Sequence, residues 1–145
     1  MSRVWLAALG AAAVIACSDD DNGNGPSDTF PEVAGVYTVA GQFDDRDPSE
    51  LSFTGIVTIE QESLESSLLT GTADLTIISA TSTIPVNDAE LLDAGVDLAG
   101  NVAFTLEQGG ISWDFTGEKA GDVLTGTHML RQGSETLTGT WTGER

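Results

Sequence analysis

The sequence predicts an all-β fold, either a small antiparallel up-and-down (lipocalin-like) barrel or a sandwich of about seven or eight strands. From Val33 onward the chain falls into short runs in which apolar and polar residues alternate, the period of a strand with one buried face. Turn-forming residues separate these runs, and Gln108-Gly109-Gly110, Ala120-Gly121-Asp122 and Gln132-Gly133-Ser134 read as tight hairpin connections. A triplet of apolar residue, Thr and Gly recurs along the strands in a constant phase.

Each run has its own inward face. Gly35–Phe43 places Tyr37, Val39, Gly41 and Phe43 together, and Leu51–Gln61 places Leu51, Phe53, Gly55, Val57 and Ile59 together. Leu68–Ser79 aligns Leu69, Gly71, Ala73, Leu75 and Ile77. Thr83–Val86 reads as a short strand, and Pro85, which has no N–H to give a neighbour, marks it as an edge. Asp88–Ala94 (DAELLDA) is the one stretch with helical spacing, enough for one or two turns. Val96–Leu98 joins the strand after it. Asn101–Gln108 then aligns Val102, Phe104 and Leu106, and Ile111–Lys119 aligns Ile111, Trp113, Phe115 and Gly117. Val123–Leu130 aligns Leu124, Gly126, His128 and Leu130, and Thr136–Gly143 aligns Leu137, Gly139, Trp141 and Gly143. The last four strands read as a meander.

The triplets are Phe53-Thr54-Gly55, Leu69-Thr70-Gly71, Phe115-Thr116-Gly117, Leu124-Thr125-Gly126, Leu137-Thr138-Gly139 and Trp141-Thr142-Gly143. In each, the apolar residue and Gly face inward and Thr faces outward. An inward Gly lets a strand bend or a neighbour come close, as closure into a small barrel requires. An outward Thr suits a solvated strand face. Faces opposite the aromatic ones carry Thr, Ser, Asp and Glu, the reverse of a membrane barrel, so the barrel is expected to be water-soluble.

The N-terminus has a different texture. Met1–Ala16 holds one charge, Arg3, followed by an apolar stretch from Val4 to Ala16 broken only by Gly10. A basic start and an apolar core of about a dozen residues match a cleavable secretory signal, and are short of the roughly 20 residues of a membrane span. The stretch ends in Val14-Ile15-Ala16-Cys17, which resembles the lipobox of bacterial lipoproteins. That resemblance implies cleavage after Ala16 and a diacylglycerol on the Cys17 thiol, often with further acylation of the new amino terminus. Two or more acyl chains hold a protein stably where one does not. Ser18 after the lipidated Cys resembles lipoproteins sent to the outer membrane, and Ser18-Asp19-Asp20-Asp21 resembles an acidic surface-export signal. Residues 17–32 then form the lipidated cysteine and an acidic tether, too poor in apolar residues to offset ordering entropy, and 33–145 form the barrel domain. Within that domain Gly35-Val36-Tyr37 sits where lipocalins place their first-strand Gly-x-Trp, with Tyr in place of Trp. Leu137-Thr138-Gly139-Thr140-Trp141 is similar to strands of avidin-type barrels. These likenesses imply a closed barrel and carry no binding residue over.

Composition excludes several functions. The 23 acidic residues against five basic ones give a formal net charge of −18, and loss of Arg3 with the leader adds one more negative unit. Such a surface repels nucleic acid and anionic head groups. Cys17 is the only cysteine, so no intramolecular disulfide forms. His128 is the only histidine and has inward parity, so a catalytic dyad, a general base or a zinc site would all have to pass through it; a satisfied core histidine fits the same parity. Asp44-Asp45-Arg46-Asp47 with Glu50 makes an acidic loop that suits either a calcium ion or a solvated turn. Asp20-x-Asn22-x-Asn24-Gly25 begins like a calcium loop but has Pro31 where the bidentate Glu belongs. Among the acids no pair stands out for glycoside hydrolysis, and Glu107 and Asp114 flank a hairpin turn.

Tyr37, Phe53, Phe104, Trp113, His128 and Trp141 are the candidate lining of a cavity for a small apolar ligand; the same side chains fit a solid core. The expectation is a non-enzymatic, lipid-anchored outer-membrane protein, on the periplasmic face or the cell surface. It needs no cofactor or metal and binds a small apolar ligand or an envelope component. The alternatives are an interaction module without a pocket and a hydrolase or isomerase on the barrel.

Overall fold

The computed structural model describes residues 29–145, and the leader, Cys17 and most of the tether lie outside them. Nine strands are present among the described residues: β1 (Gly35–Phe43), β2 (Leu51–Glu60), β3 (Thr70–Ser79), β4 (Thr83–Glu90), β5 (Leu92–Val96), β6 (Asn101–Gln108), β7 (Ile111–Ala120), β8 (Val123–Gln132) and β9 (Glu135–Glu144). They form one antiparallel sheet in the order β4-β3-β2-β1-β9-β8-β7-β6-β5. The protein is all-β, and the sheet is a nearly closed barrel. β1 and β9, the first and last strands, pair from Thr38↔Glu144 to Phe43↔Gly139.

Closure comes from the pair at the ends of that order, β4 and β5, which only Leu91 separates. Together they act as one kinked strand. β4 pairs with β3 through Ile78↔Thr83 and Thr72↔Glu90. The same line continues below, where Leu91 N donates to Gly71 O, Leu69 N to Ala94 O and Val96 N to Ser67 O, with a bridge at Leu68↔Gly95. β5 also pairs with β6 on its other side. The barrel wall is therefore continuous at the end where the chain enters. At the opposite end β4 and β6 diverge.

The kink overturns the expectation of helical turns at Asp88–Ala94. Register shifts occur between Ala73 and Leu75 against β4 and between Leu92 and Gly95 against β6. Beside the shifts, Asp88 (φ 48°) and Asp93 (φ 49°) take the left-handed conformation that Asp tolerates better than most residues. Each bulge adds a residue, so the buried positions run Val86, Ala89, Leu91, Ala94 and Val96. Spacings of three mixed with two imitate a helical period. Asp74 fixes the first bulge by accepting the Asp88 N–H at 2.9 Å.

The inward faces are those the alternation predicts. Tyr37, Phe53, Ala73, Leu75, Leu106, Trp113, Phe115 and Leu124 are all buried in a single core, and Leu91, Ala94 and Val96 join it from the kinked strand. The triplet threonines Thr54, Thr70, Thr116, Thr125, Thr138 and Thr142 are exposed. Their glycines sit where strands crowd: a Cβ on Gly126 would run into the Thr116 carbonyl and lie 2.5 Å from Gly117 Cα, and one on Gly139 would meet the Gln42 carbonyl. Gly109, Gly110, Gly121 and Gly133 take positive φ in the three predicted hairpins.

The chain enters across one end of the barrel. Val33 is fully buried, its N–H donates to Gln61 Oε1 (3.0 Å), and its carbonyl accepts from the Tyr37 hydroxyl (2.9 Å). Phe30 packs against the core, and its N–H donates to Leu64 O. The 61–69 loop, the β5–β6 turn, the β7–β8 turn and Arg145 share this end. Loop 44–50 and the other three hairpin connections lie at the opposite end.

Candidate functional site

All six residues predicted to line a cavity converge inside the barrel, on β1, β2 and β6–β9. Alternation within those strands puts them there, because each has its neighbours' inward parity. None is more than 3% exposed. Phe53 meets Trp113 edge to face with ring centroids 4.7 Å apart, and Phe104 stacks on Phe115 at 4.9 Å and 13°. Trp141 sits edge-on to Phe104 and Phe115 at 6.0 and 5.6 Å. These rings pack against one another inside the barrel. Tyr37 closes the entry end by its bond to Val33 O, and burial pushes its hydroxyl pKa up, opposed by the nearby Arg145 charge.

His128 is held on all sides. The Trp113 indole N–H, which can only donate, donates a hydrogen bond to His128 Nδ1 at 3.1 Å. Nδ1 is therefore the bare nitrogen, and Nε2 carries the proton and donates it to Gln42 O at 3.0 Å. Phe43 and Phe53 press edge-on to the ring at 4.8 and 4.9 Å. Burial pushes the imidazole pKa down, against the Gln42 carbonyl and the more distant Asp44 charge, which raise it. This is a neutral histidine with both nitrogens satisfied, and no carboxylate bonds to it. Trp141 uses its indole N–H on the Thr116 and Thr127 carbonyls (3.0 and 3.2 Å). Among the described residues no buried side-chain polar atom lacks a partner.

The acidic loop organises itself. Asp47 Oδ1 accepts from Ser49 N and Oγ at 2.9 and 2.6 Å, which holds its pKa below the ordinary carboxylate value. Asp44 accepts from the Thr138 hydroxyl at 2.8 Å. Among the described residues no three His, Cys, Asp or Glu side chains converge as a metal site. The Asp20–Gly25 stretch and Cys17 lie outside those residues. Asp114 accepts from Thr105 (2.9 Å) and pairs with Arg131 (2.6 Å) on the outer face, and Glu107 is exposed on the neighbouring strand.

Two features escape sequence reading. Where β4 and β6 diverge, the Gln108 amide spans the gap: Oε1 accepts from Asn87 N at 3.0 Å and Nε2 donates to Asn87 O at 2.7 Å. A side chain there replaces one rung of backbone ladder. A polar residue at a strand end carries no signal for that role. The second feature is a pair of open grooves in the wall, one of about 980 Å³ along the kinked strand, bordered by the exposed Leu68 and Thr127 and by the core residues Leu91, Ala94 and Val102, the other bordered by Gln42, Pro48 and Thr140. Of the six candidate residues only Trp141 borders either groove.

The chain matches no family model, no curated protein and no solved structure.

Proposed function

We propose that the chain is a lipid-anchored, non-enzymatic envelope protein whose barrel is a solid-cored module acting through its outer surface. The observation that carries this reading is the state of Tyr37, Phe53, Phe104, Trp113, His128 and Trp141. Every one is buried and matched to a protein neighbour, which supports an interior occupied by the protein itself. The lone histidine has no acid partner and no free nitrogen, which favours a structural role over a general base. Anchoring rests on the Val14-Ile15-Ala16-Cys17 motif and the apolar leader before it. Ser18 after the cysteine points to the outer membrane.

One observation favours a second reading, uptake of a small apolar ligand into the barrel. The β4–β6 seam is latched by the Gln108 amide rather than by a backbone ladder, and it is the place where the wall would open.

Native mass spectrometry of the full lipidated protein, purified from its own envelope, separates the two. We expect the acylated chain with no bound small molecule. A stoichiometric apolar ligand sends the reading to the alternative. For the anchor, radiolabelled palmitate should enter the wild type and not Cys17→Ala; equal labelling of both would remove the anchor from the proposal.

A further inference from the structure

Leu68, Leu98 and Leu64 are 72%, 56% and 46% exposed, and all three sit at the end of the barrel where the chain enters. They stand on fixed backbone. Leu68 lies in the bridge to Gly95, beside the Val96 N to Ser67 O and Leu69 N to Ala94 O bonds. Leu98 rides the β5–β6 turn, where Asp97 accepts from Ala99 N (2.9 Å), Asn101 N (2.8 Å) and the Asn101 side-chain amide (2.6 Å). The Leu64 carbonyl is held by Phe30 N at 2.7 Å. Of the seven exposed large apolar side chains among the described residues, four (Leu68, Leu98, Leu64 and Val36, the last 57% exposed) lie at this end, against Ile78 and Ile84, 38% and 44% exposed, at the opposite one.

The length of chain outside the barrel says what faces that end. Twelve residues, Ser18–Thr29, separate Cys17 from Phe30. Fully extended they reach roughly 45 Å, but at random-coil dimensions they span about 20 Å, less than the roughly 33 Å of a ten-residue strand, so a lipid on Cys17 favours the entry end over the opposite one at the bilayer. We propose that this end docks on the membrane, with Leu68, Leu98 and Leu64 inserted at the level of the lipid head groups. The inference rests on the lipid-anchor reading. Glu62, Glu65, Asp93, Asp97 and Asp122 share this end with the cations Lys119 and Arg145, the latter paired to Asp122, and the acidic excess fits a bilayer of net-neutral lipid and is repelled by an anionic one. Docking there would fix the orientation of the barrel and present loop 44–50 and the hairpins of the far end outward.

The test uses the full chain, expressed in a lipoprotein-processing bacterium and reconstituted into phosphatidylcholine vesicles with or without brominated acyl chains. Leu68→Trp and Leu98→Trp place a contact-quenched reporter on the proposed face. Ile84→Trp, at an exposed position at the start of β4, places one at the opposite end. Trp113 and Trp141 are buried and give a constant background. We expect brominated lipid to remove most of the added emission of Leu68→Trp and Leu98→Trp and to leave that of Ile84→Trp. The quenching should weaken when phosphatidylglycerol is mixed in. Palmitate-labelled protein with no quenching at any site overturns the docking and leaves the anchor standing. Equal quenching at all three sites overturns it as well, since the barrel would then have no preferred face. A chain that takes no palmitate and stays off the vesicles overturns the anchor and the docking together.

Discussion

The bond between Trp113 and His128 makes a prediction that a filled core alone does not. Trp113→Phe removes the indole N–H from a fully buried site and leaves His128 Nδ1 without a donor. An orphaned buried acceptor costs about 1–3 kcal/mol. Loss of part of the ring system adds about 1–2 kcal/mol, less than half of a complete Trp truncation. At pH 8 the variant should therefore unfold about 3 kcal/mol more readily. The midpoint should drop by about 10 °C for a domain of this size.

The cost should also depend on pH. In the wild type the folded imidazole has a pKa below its ordinary 6.5, because burial disfavours the charge. Between those two values the unfolded state binds more protons than the folded one, so stability rises with pH through that window. It is complete above 6.5, falls as the pH drops below 6.5, and levels off once the folded histidine titrates. Protonation adds a second penalty in the wild type, because a new Nδ1–H would face the Trp113 N–H donor to donor. Trp113→Phe has no such clash. The stability difference between wild type and variant should accordingly be smaller at pH 5 than at pH 8. Urea denaturation followed by Trp141 fluorescence and far-UV circular dichroism at both values measures it. A difference of the same size at the two pH values would refute the bare-Nδ1 assignment and the argument built on it.

Three further outcomes follow from the strand packing. Gly126→Ala forces β7 and β8 apart at the Thr116 carbonyl and should cost at least about 3 kcal/mol, the upper end of ordinary overpacking. Gly95→Ala, whose Cβ meets only Ser67 O at 3.2 Å, should cost far less, and thermal melts of the pair give the comparison. Gln108→Ala should raise the hydrogen-exchange rate of the Asn87 amide selectively, with the Gly71–Leu91 region unchanged; uniform exchange across β4 would mean the side chain is not the latch. Arg131→Ala breaks an exposed ion pair with Asp114 and should change stability by less than about 1 kcal/mol in a denaturant titration.

What the sequence determined by itself was everything set by residues close in the chain. Alternation along Gly35–Phe43 and Asn101–Gln108 predicts the bounds of β1 and β6 to the residue, and the Gly109-Gly110, Gly121 and Gly133 turns predict the meander. Period-two patterning and positive-φ glycines are local properties, decided within a few residues. The parity of Trp113, His128 and Trp141 likewise announces an inward cluster. Tertiary structure alone decided what depends on partners distant in the chain. Asp88–Ala94 resembles a helix because two bulges stretch the apolar spacing, and those bulges exist only because one strand must serve both β3 and β6. Whether the aromatic cluster lines a cavity or fills one depends on ring positions contributed by six strands at once, which no single strand's pattern contains. The Gln108 latch joins residues 21 apart across a seam that no local pattern foretells. Short-range periodicity specifies which face each strand buries, whereas closure, filling and the remaining gap are set by how all the faces meet.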